Sequence, residues 1–128
     1  MSNCLVIIEC ILLSVSLCRA THDKPVLALG LAQSAALVAD CVTNRQRVQL
    51  GYTEFDPVTK IFLGSRPTWG RMAPLGAVQC LLETWLAERM RTSTHKWIRR
   101  FWWVPQSVGI SGNIWGVGAN STNVRTLP

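Results

Sequence analysis

Acidic side chains stand out in this sequence because several of them lie within or beside long apolar stretches. Asp40 lies at the end of one such stretch, Glu54 and Asp56 follow it closely, and Glu83 lies in the middle of another. A carboxylate inside a membrane can carry a proton or an ion, and burying it alone costs ~2.5 to 3.5 kcal/mol. We therefore expect Glu83 to be paired, protonated or turned toward the inside of a helix bundle.

Two uncharged polar residues complete the set of candidate functional residues. Thr43 follows Asp40 by one helical turn, and Asn113 lies in the last apolar stretch. A structural interpretation of the acids is preferred, since Asp56 precedes a proline as a helix cap and Glu54 can pair with a nearby arginine. The sequence contains no nucleophile with an adjacent base, no phosphate-binding loop and no HExxH motif, so an enzyme is the least favoured class.

The histidines and cysteines form neither a metal-binding nor a disulfide pattern. His22 and His95 are far apart and have no cysteine or carboxylate at ligand spacing. Cysteine in apolar surroundings behaves as a small hydrophobic residue. The cysteines, none of which belongs to a CxxC pair, are Cys4, Cys10, Cys18, Cys41 and Cys80. The sequence therefore predicts no metal site and no cofactor.

Hydrophobic residues make up 48% of the 128 residues, and they are clustered. The apolar blocks are Leu5 to Leu17, Pro25 to Cys41, Met72 to Met90 and Phe101 to Ala119. Apolar runs with the charges collected between them are typical of membrane-spanning helices. The sequence predicts an all-α fold, a small multi-pass membrane helix bundle with three core spans, located in the cell inner membrane.

The net charge of +6 suggests two classes of partner, nucleic acid and lipid headgroups. Basic residues are interleaved with tryptophans between Arg89 and Trp103, where one predicted span ends and the next begins. This pattern is typical of the interface belt of a membrane protein, although it also occurs in proteins that bind single strands. We expect contact with the lipid bilayer and no nucleic-acid binding, with residues 89–100 on the cytoplasmic side.

The first twenty residues are interpreted as an N-terminal apolar helix or a signal segment. The sequence around Ala20 resembles a signal-peptide cleavage site, but Glu9 interrupts the apolar run and no Lys or Arg precedes it. A later start of translation is a third alternative. Residues 21–120 are expected to form a single membrane helical domain, and residues 121–128 a polar tail.

Glycine and proline residues mark the predicted helix ends. Gly51 is expected to end the central span, and Gly64 a short helix that begins at a proline. The predicted helices are Pro25 to Val48, Pro57 to Leu63, Trp69 to about Arg91 and Phe101 to about Asn120.

Polar and small residues recur at helical spacing on all three core spans. We expect the resulting stripes to face one another, because polar side chains facing lipid are costly. The stripes are Gln33-Ala36-Asp40, Gly76-Gln79-Glu83 and Gln106-Gly109-Asn113-Gly116. Small residues let helices approach closely, and the predicted packing residues are Ala32, Ala36, Gly76, Gly109, Gly112 and Gly116.

Residues 40–57, DCVTNRQRVQLGYTEFDP, contain the most specific motif in the chain. This segment resembles the D-x-x-T-T and G-x-x-E-x-N-P pattern of a family of small bacterial integral membrane proteins that is known as a domain of unknown function. Asn44 stands where the pattern has its second threonine, and Asp56 where it has asparagine. The matching residues are Asp40, Thr43, Gly51, Glu54 and Pro57. The resemblance implies a multi-pass membrane fold and no particular activity.

The preferred functional hypothesis is a structural or assembly subunit of the membrane. Its partners would be the lipid bilayer and either another membrane protein or further copies of the same chain. The alternative is a path for protons, ions or a small solute that uses Asp40 and Glu83. An intramembrane enzyme is the third hypothesis.

Overall fold

The structure, a computed structural model, describes residues 23–53 and 57–125. The predicted N-terminal segment over residues 1–20, together with Glu54 and Asp56, lies outside the described residues. The helices are α1 (Lys24–Gln49), α2 (Pro57–Leu63), α3 (Trp69–Arg91), α4 (Lys96–Arg100) and α5 (Val104–Arg125). Every regular element within these ranges is helical, which confirms the all-α prediction.

The helix ends agree with most of the predicted signals. Gly51 and Gly64 adopt positive φ angles of 94° and 79° directly after α1 and α2, a conformation that glycine reaches without strain. Asp23 precedes α1, but its side chain makes no capping hydrogen bond. Its carboxylate instead forms an ion pair with Arg91 at the end of α3. Asp23 therefore joins two helices.

Three boundaries differ from the prediction. The last helix was expected to begin at Phe101, and α5 begins at Val104. The basic segment between the second and third predicted spans, for which no helix was predicted, contains the five-residue helix α4. The last helix was expected to end near Asn120, yet α5 continues to Arg125, so the predicted polar tail begins inside it. No glycine or proline lies between Asn120 and Arg125 to stop the helix there.

The three long helices pack together as a bundle. The largest contact is between α1 and α5, and α3 packs against both. At a rise of ~1.5 Å per residue, their lengths are about 39, 35 and 33 Å for α1, α3 and α5. The two short helices lie in the connections, where each contacts α3.

The bundle has polar groups inside and large apolar groups outside. The buried polar or charged residues are Gln33, Ser34, Arg47, Gln106, Asn113 and Asn120. The buried hydrophobic residues are fewer and mostly small: Val26, Leu63, Met72, Cys80 and Ala87. By contrast, Leu82, Ile114 and Trp115 are 59%, 60% and 80% exposed. This distribution is the reverse of that in the interior of a water-soluble domain.

Among the described helices, α1 is the one that is long and apolar enough to cross a membrane when judged by length and composition. The central helix of a water-soluble protein, which is mostly buried, and a signal sequence near the N-terminus meet the same measure. Only 22% of the most apolar stretch of α1 is buried within this structure. Its apolar surface therefore faces outward.

Three glycines lie where helices approach each other closely. A Cβ atom on Gly109 would overlap the carboxylate of Glu83, and one on Gly116 would overlap that of Asp40. A Cβ on Gly76 would lie 2.7 Å from Cδ2 of Leu37. Glycine at these positions makes room for side chains of the opposing helix.

Two predicted packing residues lie outside the contacts of the described bundle. No atom lies within 4 Å of the place where a Cβ of Gly112 would stand, and Ala32 is exposed. Successive residues of a helix are turned by ~100°, so Ala32 points away when Gln33 points inward. Ala36 is half-buried at the edge of the contact. Within the described bundle, therefore, neither Gly112 nor Ala32 lies at a contact between helices.

Gly116→Ala and Gly112→Ala form a matched pair within α5 that tests this packing. Gly116→Ala should lower stability by ~1–3 kcal/mol, because the methyl group would displace Asp40 from its contact with Asn120. Gly112→Ala should be neutral or stabilising by up to ~1 kcal/mol, since alanine favours the helix and meets no neighbour. Thermal unfolding in detergent measures both. Equal destabilisation by the two variants would contradict the α1–α5 packing.

Candidate functional site

Glu83 lies between two glutamine side chains in the middle of the bundle. Gln33 of α1 donates a hydrogen bond from Nε2 to Oε2 of Glu83. Gln79, one turn earlier on α3, donates from Nε2 to Oε1 of Glu83 at 3.1 Å. Gly109 of α5 faces this carboxylate and leaves room for it. Glu83 thus links α1 to α3 against the backbone of α5.

Asn120 is the centre of a second polar cluster, nearer the end of α1. Its Oδ1 accepts a hydrogen bond from Nη1 of Arg47 at 3.0 Å. Its Nδ2 donates to Oδ1 of Asp40 at 3.1 Å and to Oγ1 of Thr43 at 3.3 Å. One amide of α5 therefore contacts three side chains of α1, and both of its ends are used.

Arg47 closes this end of the bundle. Its guanidinium donates from Nη2 to the backbone oxygen of Thr53 at 2.7 Å and lies 6.0 Å from the ring centroid of Tyr52. Arg47 is only 4% exposed. Arginine is rarely buried unless its guanidinium is paired, and the contacts of Arg47 meet this requirement. Arg47 is not among the predicted site residues. The signal that could have identified it is the spacing of Gln33, Asp40 and Arg47 at intervals of seven residues.

The opposite end of the bundle is also joined by polar contacts. Gln106 of α5 donates from Nε2 to the backbone oxygen of Val26 at 3.1 Å and to Oγ1 of Thr84 at 3.3 Å. Arg91 forms the ion pair with Asp23 and lies over the ring of Trp102, 4.6 Å from its centroid. Polar contacts therefore follow the inside of the bundle from one end to the other.

A cleft of about 210 Å³ opens between α1, α2 and α3, and α5 forms its inner wall. Its polar lining residues are Asp40, Asn44, Thr59, Gln79 and Asn113. The remainder of its wall is apolar and consists of Leu37, Cys41, Leu63, Met72, Leu75 and Gly76. The cleft is a place in the described structure where polar residues of the bundle line an open space.

The cleft brings together two of the predicted site residues, Asp40 and Asn113. Thr43 lies beside them but donates its hydroxyl to the backbone oxygens of Ala39 and Asp40, both at 3.0 Å. Glu83 belongs to its own cluster and does not line the cleft. Within residues 23–53 and 57–125, no group of three histidine, cysteine or acidic side chains is placed to hold a metal ion.

The amide of Asn113 lacks a partner that its neighbours on α5 have. Asn113 is 7% exposed, and among the described residues its Nδ2 has no hydrogen-bond partner. A buried polar atom without a partner costs ~1–3 kcal/mol. Asp40 of α1 and Asn113 of α5 thus line the same cleft, while Nδ2 of Asn113 itself is closed off from solvent.

Asn120→Ala should destabilise the protein by ~1–3 kcal/mol, because it leaves buried groups of Arg47 and Asp40 without their shared partner. Thermal unfolding in detergent measures the change. Thr122→Ala is the control on the same helix, since its exposed hydroxyl donates only to the backbone oxygen of Gly118. A loss of stability as large in the Thr122 variant would show that the Asn120 cluster does not stabilise the α1–α5 contact.

Comparison of the chain with protein-family models, with curated proteins and with solved structures finds no match. The resemblance of residues 40–57 to a family of small membrane proteins thus stays a prediction. Its matching residues have separate positions in the structure. Asp40 and Thr43 belong to the Asn120 cluster, Gly51 ends α1, and Glu54 lies outside the described residues.

Proposed function

We propose that this protein is a multi-pass membrane protein whose helices α1, α3 and α5 cross the bilayer, and that it serves as a structural or assembly subunit. The observation that carries this proposal is the reversed distribution of polar and apolar side chains. Gln33 and Gln106 are completely buried, whereas Trp115 is 80% exposed. This arrangement is stable in a bilayer, because leucine and tryptophan side chains can contact the apolar lipid tails, whereas amides find no hydrogen-bond partner there.

The dimensions of α3 and α5 fit this proposal. Their lengths of about 35 and 33 Å both exceed the ~30 Å thickness of the hydrocarbon core. The polar residues Gln106, Asn113 and Asn120 lower the mean hydropathy of α5, but all three are buried in the bundle. A helix whose polar residues face its neighbours can cross a membrane with a composition that an isolated span does not tolerate.

The short helix α4 supports a position at the membrane surface. Lys96, Arg99 and Arg100 are exposed beside Trp97, which is itself 73% exposed. Tryptophan and basic side chains are enriched where a span leaves the apolar core, because the rings and the charges both suit the headgroup region. In this arrangement α4 lies along the surface between the α3 and α5 spans.

The interior acids fit a structural role better than a conducting path. Both oxygens of Glu83 accept hydrogen bonds from glutamine amides, and Asp40 accepts one from Asn120. The glycines that face these two acids, Gly109 and Gly116, are seven residues apart, which corresponds to about 10 Å along the helix. Contacts that join helices account for both acids, so we propose a subunit and no ion path.

The outward face of α1 is where this subunit would assemble with a second copy of the same chain. Ala28, Ala32, Ala35 and Ala39 are all exposed and follow one side of the helix. A stripe of alanines has low relief and is complementary in shape to an identical stripe, as a two-fold symmetric contact requires. No charged residue lies between Ala28 and Ala39, so two copies would approach without repulsion.

Leu82→Lys should prevent α3 from crossing the membrane, because Leu82 faces the lipid in the proposed arrangement and is 59% exposed. A lysine at mid-span costs ~2.5–3.5 kcal/mol on insertion scales. Reporter domains fused after Lys60 and after Thr94 measure the outcome, since they lie on opposite sides of the membrane when α3 crosses it. The variant should move the second reporter to the side of the first.

The control for this experiment is Thr94→Lys, which adds the same charge in the exposed connector and should leave the two reporters on opposite sides. Unfused reporters of known location calibrate the assay. The membrane proposal is wrong if both reporters of the unmodified protein lie on the same side. It is equally wrong if Leu82→Lys leaves their separation unchanged.

Ala35→Leu should weaken self-association, because a leucine on the outward face of α1 keeps two copies of that helix apart. Energy transfer between differently labelled copies in lipid vesicles measures the associated fraction. Val108→Leu is the matched control, since it enlarges a side chain that is 64% exposed on α5. A monomeric unmodified protein, or equal loss in both variants, would exclude α1 as the contact between copies.

A further inference from the structure

A groove of about 340 Å³ runs along the outside of the bundle between α2 and the N-terminal part of α3. The residues that line this α2–α3 groove are Phe62, Gly70, Arg71, Pro74, Leu75 and Val78. Its two walls are attached to each other. Leu63 of α2 is 8% exposed, and its backbone oxygen accepts a hydrogen bond from Nη1 of Arg71 at 3.3 Å. The groove is therefore a formed feature of the α2–α3 pair.

Most of the groove is apolar and open to the surroundings. Phe62, Val78 and Leu75 are 63%, 58% and 42% exposed. No atom lies within 4 Å of the place where a Cβ of Gly70 would stand, so this glycine leaves the groove wide. Contiguous apolar surface of this kind marks a contact with a partner or with lipid.

The one charged side chain that lines the groove is that of Arg71. Arg71 is exposed, and within the described residues Leu63 is the one acceptor of its hydrogen bonds. A guanidinium has five N–H donors, so most of them are left for a ligand. Lys60 and Arg66 are also exposed nearby in the chain, and the sequence has no Asp or Glu between residues 57 and 82. The charge of the groove is therefore complementary to an anion.

The charge and the apolar surface lie at different depths along α3. Arg71 belongs to the first turn of the helix, and Val78 follows seven residues later, about 10 Å along the axis. In the proposed membrane arrangement the first turn lies at the headgroup level, and one leaflet of the apolar core is ~15 Å deep. The groove would then have its charged end at the surface and its apolar end inside the leaflet.

This arrangement selects among the classes of ligand. A free inorganic anion would contact Arg71 and leave the apolar walls uncovered. A zwitterionic lipid would cover the walls, but the positive group of its headgroup opposes the attraction between its phosphate and Arg71. A phospholipid with net negative charge fits both parts of the groove, because a guanidinium donates paired hydrogen bonds to phosphate oxygens.

We propose that the α2–α3 groove binds an anionic phospholipid. One acyl chain lies against Phe62, Leu75 and Val78, and the phosphate accepts hydrogen bonds from Arg71. The site rests on the proposed position of α3 in the membrane. It adds to that proposal a lipid class that the protein recognises, at a position separate from the alanine face of α1 and from α4.

Photolabelling of the full chain in phosphatidylcholine nanodiscs tests the groove. The probes are trace amounts of phosphatidylglycerol and of phosphatidylcholine, each with the same photoreactive group on one acyl chain, and mass spectrometry of peptides locates the label. Label on the groove residues should be about fivefold higher with phosphatidylglycerol, as expected from one basic side chain near the membrane surface. Excess unlabelled phosphatidylglycerol should reduce this label, and inorganic phosphate at the same concentration should not.

The outward face of α5 is the reference within the same molecule. Ile114 and Trp115 are 60% and 80% exposed, and no charged residue lies between Phe101 and Val124. Both probes should therefore label this face equally.

Three variants separate the guanidinium in the groove from the general positive charge of the segment. Arg71→Gln should lower the preference for phosphatidylglycerol at the groove to about the value on α5, and Arg71→Lys, which keeps the charge, should retain part of it. Arg66→Gln is the matched control, since it removes an exposed charge that does not line the groove and should leave the preference in place. If Arg71→Gln does not fold, the two probes and the phosphate competition on the unmodified protein still decide the outcome.

The possible failures of this proposal and of the membrane position are distinguishable. Equal labelling of the groove by both probes, with label also on α5, would overturn the lipid site and leave the membrane position standing. Label on α5 but none at the groove would mean that protein covers the groove, which also overturns the site. Label on neither α3 nor α5 would overturn both proposals. Displacement by inorganic phosphate, or an equal loss of preference in Arg66→Gln and Arg71→Gln, would overturn the site as well.

Discussion

Hydrogen bonds between buried side chains on different helices hold this bundle in register. An amide removed from water must find a partner, and in a low-dielectric interior a missing partner is costly. Asn120 uses both ends of its amide to join α5 to α1, and Gln33 joins α1 to the carboxylate of Glu83 on α3. Sliding or rotating one helix would break these bonds together, so they select one arrangement from the many that apolar packing alone permits.

The same bonds explain the closeness of α1 and α5. An acid or amide that reaches an opposing helix needs space there, and glycine provides it by lacking a Cβ. Gly116 faces Asp40, and Gly109 faces Glu83. Each glycine thus allows a polar bond of another helix to form beside the α5 backbone, so the polar contacts and the close packing depend on the same positions.

The sequence predicted the faces of the helices better than their partners. Gln106, Asn113 and Asn120 recur every seven residues, and all three are buried, as their spacing indicated. The spacing of residues along one helix does not give the axial offset between that helix and its neighbour. The Gln33–Glu83 hydrogen bond was therefore not predictable from the sequence. Successive residues of a helix are turned by ~100°, so the spacing alone does not say whether the neighbour of a buried residue also faces inward. Ala32 was predicted to be a packing residue, but it is exposed in the bundle.

Asn113 shows how the interior departs from a purely structural one. A leucine at this position would fill space and need no partner, and replacing a poorly satisfied buried polar group by an apolar one is often stabilising. Asn120, by contrast, uses both ends of its amide within the bundle. Asn113 therefore adds little to the contacts among the described helices, and its Nδ2 is buried without a hydrogen-bond partner there. The desolvation cost of this amide is not offset by a hydrogen bond within the described helices, whereas that of Asn120 is offset at both ends.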